Sequence, residues 1–179
     1  MQQLTNRHGE AVLTGKSLNF GGSPLRPEAT GYGLIYMAQL AVEKKLGCSL
    51  KGMRCAVSGS GNVAQFAAEK LLEIGARVIT LSDSNGVLVF EDGMTKNDLK
   101  AVVECKNVKR DRLRTLDGAV TGRYFDKEAP CSLPLKLDLA LPCATQNEID
   151  EDAAKRLVEN GVRGVFEVSC QPQIQRVLS

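Results

Sequence analysis

Between Met53 and Ala64 the chain reads Met-Arg-Cys-Ala-Val-Ser-Gly-Ser-Gly-Asn-Val-Ala, an apolar run that enters a glycine turn and leaves it into helix-forming sequence. Gly59, Gly61 and Ala64 stand at G-x-G-x-x-A spacing, which is what a backbone needs to close around an anion. Gly59 permits the tight turn, Gly61 has no Cβ to hold the chain away from a diphosphate, and Ala64 is small enough for a helix to pack on its strand. The helix expected over Asn62–Ile74 points free N–H groups and a partial positive charge at the same spot. That arrangement favours a phosphate by about 0.3–1 kcal/mol, and by up to ~2 kcal/mol when partly buried. The chemistry implied is capture of a dinucleotide pyrophosphate.

A second element completes the unit. Gly75 ends the helix, Arg77-Val-Ile-Thr-Leu-Ser-Asp83 reads as a buried strand, and Asp83 closes it. An acid about twenty residues past the glycines meets the adenosine ribose in such folds. The other reading of Asp83 is a cap for the turn before Gly86, and the two roles are compatible.

The elements that position these residues follow from periodicity and punctuation. A helix is expected from near Glu28 to about Lys45, with Tyr32, Ile35, Tyr36, Gln39 and Leu40 as a mixed stripe. Asn85-Gly86 marks a turn and Val87–Phe90 a short strand. Thr95 with Asp98 signals an N-cap for a helix to about Lys106, and 110–114 is a charged surface stretch. Leu135–Leu141 reads as a strand stopped by Pro142. A polar bend follows, then a helix capped by Asp150 and ended by Asn160-Gly161, then a strand over Val162–Val168. Strands alternating with helices give an α/β fold, a doubly wound parallel sheet of the Rossmann-like dinucleotide-binding kind. Residues 1–25 read as a loop or inter-domain segment and 26–168 as the dinucleotide-binding domain.

Composition narrows the function further. The 179 residues carry a formal net charge of +2 with both signs interspersed, and aromatics make up 4%. Nucleic-acid and anionic-membrane partners are excluded on that balance. No signal-peptide pattern or bilayer-length apolar run is evident, so a cytoplasmic location is expected. Six cysteines occur without a Cys-x-x-Cys, and His8 is the single histidine. Free or buried thiols in a reducing compartment are expected, with no metal site.

Three motifs at the ligand edge of such a sheet carry a family resemblance: Ser58-Gly-Ser-Gly-Asn-Val-Ala64, Arg26-Pro-Glu-Ala-Thr-Gly-Tyr-Gly33 and Ala140-Leu-Pro-Cys-Ala-Thr-Gln-Asn-Glu148. Leu13-Thr-Gly-Lys16, Gly21-Gly-Ser23, Ser82-Asp-Ser84 and Ser132-Leu-Pro134 agree with them. Together they resemble the coenzyme domain of the hexameric glutamate dehydrogenases, within the larger glutamate/leucine/phenylalanine/valine dehydrogenase family, from about Val12 to Glu167. The resemblance implies that Gly59, Ser60 and Gly61 form the pyrophosphate turn with Asn62 and Val63 over it. It also implies that Thr30 contacts the nicotinamide amide, and that Ala144, Thr145 and Asn147 approach the nicotinamide ribose. A carboxamide needs a hydroxyl or backbone partner to fix the ring face presented, which Thr30 can supply. Read without the resemblance, Thr30 is a helix cap or first-turn hydroxyl, 145–147 an ordinary polar turn, and Arg26 with Glu28 a loop ion pair.

Two arguments about the coenzyme diverge. An acid at Asp83 hydrogen-bonds a free ribose hydroxyl and repels a 2′-phosphate, which favours NAD. Ser-Asp-Ser followed by a polar residue before glycine looks like the NADP-using members of the family, and here that residue is Asn85. The reading adopted is NADP, with NAD the alternative and Ser84 and Asn85 as phosphate donors.

The resemblance implies reversible oxidative deamination of L-glutamate to 2-oxoglutarate and ammonia by a full-length homohexamer. The family's catalytic lysine and aspartate belong to a preceding substrate domain that these residues do not match, so no catalytic residue is assigned. The chain alone is expected to bind coenzyme without turnover. The alternatives are a noncatalytic dinucleotide-binding module and a leucine, phenylalanine or valine dehydrogenase, although the motifs favour glutamate. After Glu167 the sequence leaves the family pattern. One back-translation of Cys170–Ile174, TGC-CAA-CCA-CAA-ATC, read one base earlier after an A, gives Met-Pro-Thr-Thr-Asn, whose first four residues match what the family has there. Residues 169–179 are therefore expected to be an aberrant, out-of-frame and disordered tail.

Overall fold

Alternation of apolar side chains builds the sheet around its first strand, β1 (Arg54–Val57), whose Cys55 and Val57 face one side while Ala56 faces the other. The computed structural model describes residues 19, 26–145 and 148–168. The expectations for the rest of segment 1–25, for Gln146 and Asn147, and for the tail 169–179 lie outside the described residues.

Helix α1 (Arg26–Leu46) precedes β1. It begins at Arg26, so Arg26 and Glu28 belong to its first turn rather than to a loop, and Thr30 is a second-turn residue. Its buried face is Gly31, Leu34, Ile35, Ala38 and Val42, whereas Tyr36 and Leu40 of the expected stripe are about half exposed, at 49% and 57%. Small residues won that face because α1 lies close against helix α2 (Asn62–Ile74). A Cβ on Gly31 would come within 2.8 Å of Val63 O and Phe66 Cβ. Tyr32 keeps its place in the interface, its ring edge-on to Phe66 and its hydroxyl donating to Glu69 at 3.0 Å.

After α2 come β2 (Arg77–Asp83), β3 (Gly86–Val89) and helix α3 (Lys96–Val103). Helix α3 ends short of Lys106 because the chain loosens into a π-helical turn, Glu104–Lys109, closed by Arg110 at φ +54°. A 3-10 turn, Leu113–Leu116, buries its two leucines and leads to β4 (Arg123–Asp126), a strand that no local pattern announces. Then follow β5 (Leu139–Leu141), α4 (Glu151–Glu159) and β6 (Gly164–Val165). β5 is shorter than Leu135–Leu141, because Leu133, Leu135 and Leu137 run beneath the sheet and pack on its second face. β6 is likewise short, yet N–H donation from Arg163, Phe166 and Val168 to Asp138, Ala140 and Pro142 keeps 163–168 alongside β5.

The strand order is β4-β3-β2-β1-β5-β6. β3 alone runs against the other five, so the sheet is mostly parallel with one antiparallel insertion. A register break opposite Cys55 and Ala56 lets Thr80 donate its hydroxyl to Val57 O at 3.1 Å. Right-handed crossovers leave β1 and β5 in opposite directions, which places α2 and α4 on opposite faces. The larger core lies between the sheet and α1, α2 and α3, and a smaller one holds Ala56, Ile79, Val87, Val89 and Leu137. Among the described residues no helix is long and apolar enough to cross a membrane.

One buried carboxylate ties α3 to the segment before β4. Thr95 and Asp98 form a reciprocal capping box, and Asp98 also accepts the Thr121 N–H at 2.9 Å and its hydroxyl at 2.8 Å. Burial alone would raise this carboxyl, but the hydrogen bonds from Thr95 and Thr121 outweigh it and hold the group below its usual range. A depressed folded pKa means that the stabilisation is complete above the unfolded value, near pH 4, and is lost as pH falls through the folded value. Asp98→Asn is expected to cost about 2 kcal/mol in urea unfolding at neutral pH, with the gap to wild type narrowing below about pH 4. A gap that stays constant down to pH 2 would contradict it. Gly31→Ala is expected to cost about 1–3 kcal/mol by the same measurement, because backbone and Phe66 must separate. An unchanged midpoint would show that the helices have room.

Candidate functional site

The loops that follow β1, β2 and β5 meet at the carboxyl edge of the sheet and enclose a cleft of about 640 Å³. It lies where the connections from β1 and β5 separate, the position at which open α/β sheets take ligands. Gly59, Ser60, Gly61, Asp83, Ser84, Ala144 and Thr145 line it, and Asn85 stands beside them. Asn62 and Val63, the first residues of α2 after Gly61, are not in the lining, and Asn62 borders a separate groove between α2 and α3. Thr30 is not in the lining either; the first turn of α1 is tied to the start of α2, where the Asn62 amide donates to the Pro27 carbonyl. Asn147 lies outside the described residues.

The glycine turn is built for close approach. Gly59 has φ +80°, and a Cβ there would meet the Ala144 Cβ at 2.9 Å, so the turns after β1 and β5 touch. Its N–H donates to Ser82 Oγ at 2.8 Å, fixing the turn to the end of β2. Gln65 donates to the Ser60 carbonyl at 2.9 Å and exchanges amide hydrogen bonds with Asn107 of the π-helical turn. A Cβ on Gly61 would meet nothing within 4 Å, and Gly61 opens α2 with no side chain capping its first amides. Uncapped N–H groups facing open space at a helix start are the fit a diphosphate requires.

At the other end of the cleft Asp83 is nearly buried, its side chain 5% exposed. One oxygen accepts the Asn85 N–H and the other the Leu113 N–H, each at 2.9 Å, and Lys106 Nζ stands 4.0 Å away. The turn-cap role of Asp83 is thus realised, and each oxygen keeps a lone pair for another donor. Arg112 donates to Ser84 Oγ at 2.6 Å. Sequence reasoning misses both cations, since it puts Lys106 at a helix end and Arg112 in a surface stretch. Only the π-helical turn and the chain reversal after it carry them back to the end of β2. Glu148, which belongs to a motif but has no role from sequence, accepts hydrogen bonds from Ser58, Ala144 and Thr145 across the cleft mouth.

The thiols near the site are shifted away from the thiolate form. Burial, aided by Glu148, pushes Cys143 up to about 12, and burial with Asp138 nearby does the same to Cys55. Burial also raises Cys131, which lines the cleft. Five cysteines are free among the described residues, and no group of three or more metal-ligating side chains occurs there.

The model of the Glutamate/Leucine/Phenylalanine/Valine dehydrogenase family matches residues 21–176. The NADP-specific glutamate dehydrogenase of Escherichia coli is 50% identical over 172 residues, which is 96% of this chain and 38% of that protein. The NAD(P)-specific glutamate dehydrogenase of Xylanibacter ruminicola is 46% identical, with the same shares covered. Among solved structures, Plasmodium falciparum glutamate dehydrogenase 2 superposes with a TM-score of 0.84 at 43% identity, covering 99% of this chain and 38% of that one. The chain spans well under half the length of these relatives. The family model's match over most of the chain, with relatives similar along nearly all of its length, shows that it belongs to the glutamate/leucine/phenylalanine/valine dehydrogenase family.

Proposed function

We propose that this chain is the coenzyme-binding portion of an NADP-linked glutamate dehydrogenase. The observation that carries the reading is the convergence of Lys106 and Arg112 on Asp83 and Ser84, at the far end of a cleft that starts at an uncapped glycine turn. An acid at the end of β2 favours NAD only where its charge faces the ribose. Here two backbone amides and a lysine absorb that charge, and a guanidinium is added beside Ser84. A 2′-phosphate then meets cations and hydroxyls instead of a bare carboxylate. The matched relatives from Escherichia coli and two Salmonella strains are named NADP-specific, which supports the same coenzyme.

The residues divide the work by position. The amides of 61–63 receive the diphosphate, with Gly59 and Ser60 shaping the turn. Asp83, Ser84 and Asn85 face the adenosine ribose, with Lys106 and Arg112 supplying positive charge. Ala144 and Thr145 border the nicotinamide side, and Thr30 offers its hydroxyl to the carboxamide. The bound coenzyme supplies hydride chemistry. Glutamate, 2-oxoglutarate and ammonia, the proton-handling side chains and the hexameric assembly belong in this reading to the rest of a longer protein. The 179 residues alone bind coenzyme and do not turn it over.

Calorimetric titration of the purified chain is expected to show NADPH binding more tightly than NADH. Arg112→Ala is expected to weaken NADPH about tenfold while leaving NADH within about twofold, the scale of one charge-assisted hydrogen bond. Equal affinity for the two coenzymes in wild type, or equal losses in the variant, would remove the NADP assignment. Gly61→Ala is expected to leave the melting temperature of the free chain within about 2 °C, because its new methyl enters open space, yet to weaken both coenzymes at least about tenfold. Undiminished binding would place the diphosphate elsewhere.

A further inference from the structure

Glu148 lies on neither helix nor strand, yet it joins the two loops that border the crevice. Its Oε1 accepts the N–H of Ala144 at 2.8 Å and the N–H of Thr145, and its Oε2 accepts the hydroxyl proton of Ser58. Ser58 follows the last residue of β1, its N–H bound to the Leu141 carbonyl at 3.1 Å, and its Oγ accepts the Cys143 N–H at 2.9 Å. Three successive amides after β5 are therefore committed to one carboxylate and one hydroxyl that stands directly before Gly59. Across the same gap Gly59 packs on Ala144 so closely that no Cβ fits. The bridge fixes how far apart the diphosphate turn and the 143–145 loop stand. It also leaves carbonyl oxygens and the Thr145 hydroxyl as that loop's polar capacity towards a ligand.

We infer that Glu148 is a positioning residue which, through Ser58 and the amides of Ala144 and Thr145, holds the two halves of the cleft at the spacing required by ligands that span both. The inference rests on the coenzyme reading above and assigns to it a determinant that touches neither reacting atoms nor phosphates. A carboxylate suits this place because one group can accept from three donors on two separate loops, with charge-assisted strength. Pre-setting the gap reduces the ordering that a two-ended ligand must otherwise supply on binding.

The test compares two probes on the purified chain: NADPH, which spans both loops, and 2′,5′-ADP, which carries only the adenosine, its 2′-phosphate and one phosphate for the glycine turn. Glu148→Ala is expected to weaken NADPH about tenfold while 2′,5′-ADP stays within about twofold. Glu148→Gln, which keeps an acceptor oxygen for Ala144 and Thr145, is expected to recover most of the loss. Ser58→Ala, which removes the hydroxyl's bonds to Glu148 and to the Cys143 N–H but leaves Glu148 on the amides of Ala144 and Thr145, is expected to show the same split between probes, and it carries the test if Glu148→Ala does not fold. Equal weakening of both probes, or of neither, in variants that melt near wild type would overturn the positioning role while leaving the coenzyme reading intact. Failure of wild type to bind either probe would instead overturn the coenzyme reading, and the inference with it.

Discussion

The arrangement depends on β1 having parallel neighbours whose connections leave it in opposite directions. Because β2 is reached over one face and β6 is reached from β5 over the other, no helix can close the carboxyl ends of β1 and β5, and their loops must separate. That gap is the cleft. Its near wall is the glycine turn, and its far wall is the segment after β5. The contact between Gly59 and Ala144 sets the closest approach of the two. A side chain at Gly59 would force these walls apart from below, in a backbone conformation that L-residues seldom adopt.

Polar groups around the cleft are arranged so that few charges stand free. Asp83 gives its two oxygens to backbone amides that shape the β2–β3 turn and the 3-10 turn, and Lys106 stands against it. The same carboxylate that defines the end of β2 therefore also fastens the segment carrying Arg112. Gln65 has a comparable role in the neighbouring layer, joining the Ser60 carbonyl to Asn107 and so the glycine turn to the π-helical turn. Position along the chain hides the longer of these relations, Asp83 with Lys106 and Leu113 and Gln65 with Asn107, whose partners are tens of residues apart.

Much of the frame is legible in the residues. The bounds of α2 and β2, the Thr95 and Asp150 caps and the turn at Asn85-Gly86 follow from local rules that tertiary contacts do not override. Where fold and sequence pattern differ, a non-local contact decides. Apolar character points Tyr36 and Leu40 inward, but close approach of α1 to α2 at Gly31 selects the face with the smaller residues. β4 is four residues, Arg-Tyr-Phe-Asp, with charged ends and no alternation, and it exists because β3 has an edge to fill. Leu135 and Leu137 look like strand because the minor core needs the same side chains that a strand would show. The glycines and Asp83 can be named from spacing. Lys106 and Arg112 cannot, because a π-helical turn carries no short signature and reversal at Arg110 depends on a left-handed backbone at a residue other than glycine.

Cys143 stands at the mouth of the cleft, in the position where a reactive sulfur would be most damaging to a bound cofactor. Burial, with the neighbouring Glu148, pushes its thiol up to about 12, so at neutral pH the sulfur is held as the neutral thiol. Peroxides and electrophiles attack the thiolate, so raising this thiol lowers its reactivity despite its address. The carboxylate that braces the two loops thus also disfavours a second negative charge on the sulfur beside it, a restraint on thiolate formation that comes with the geometry.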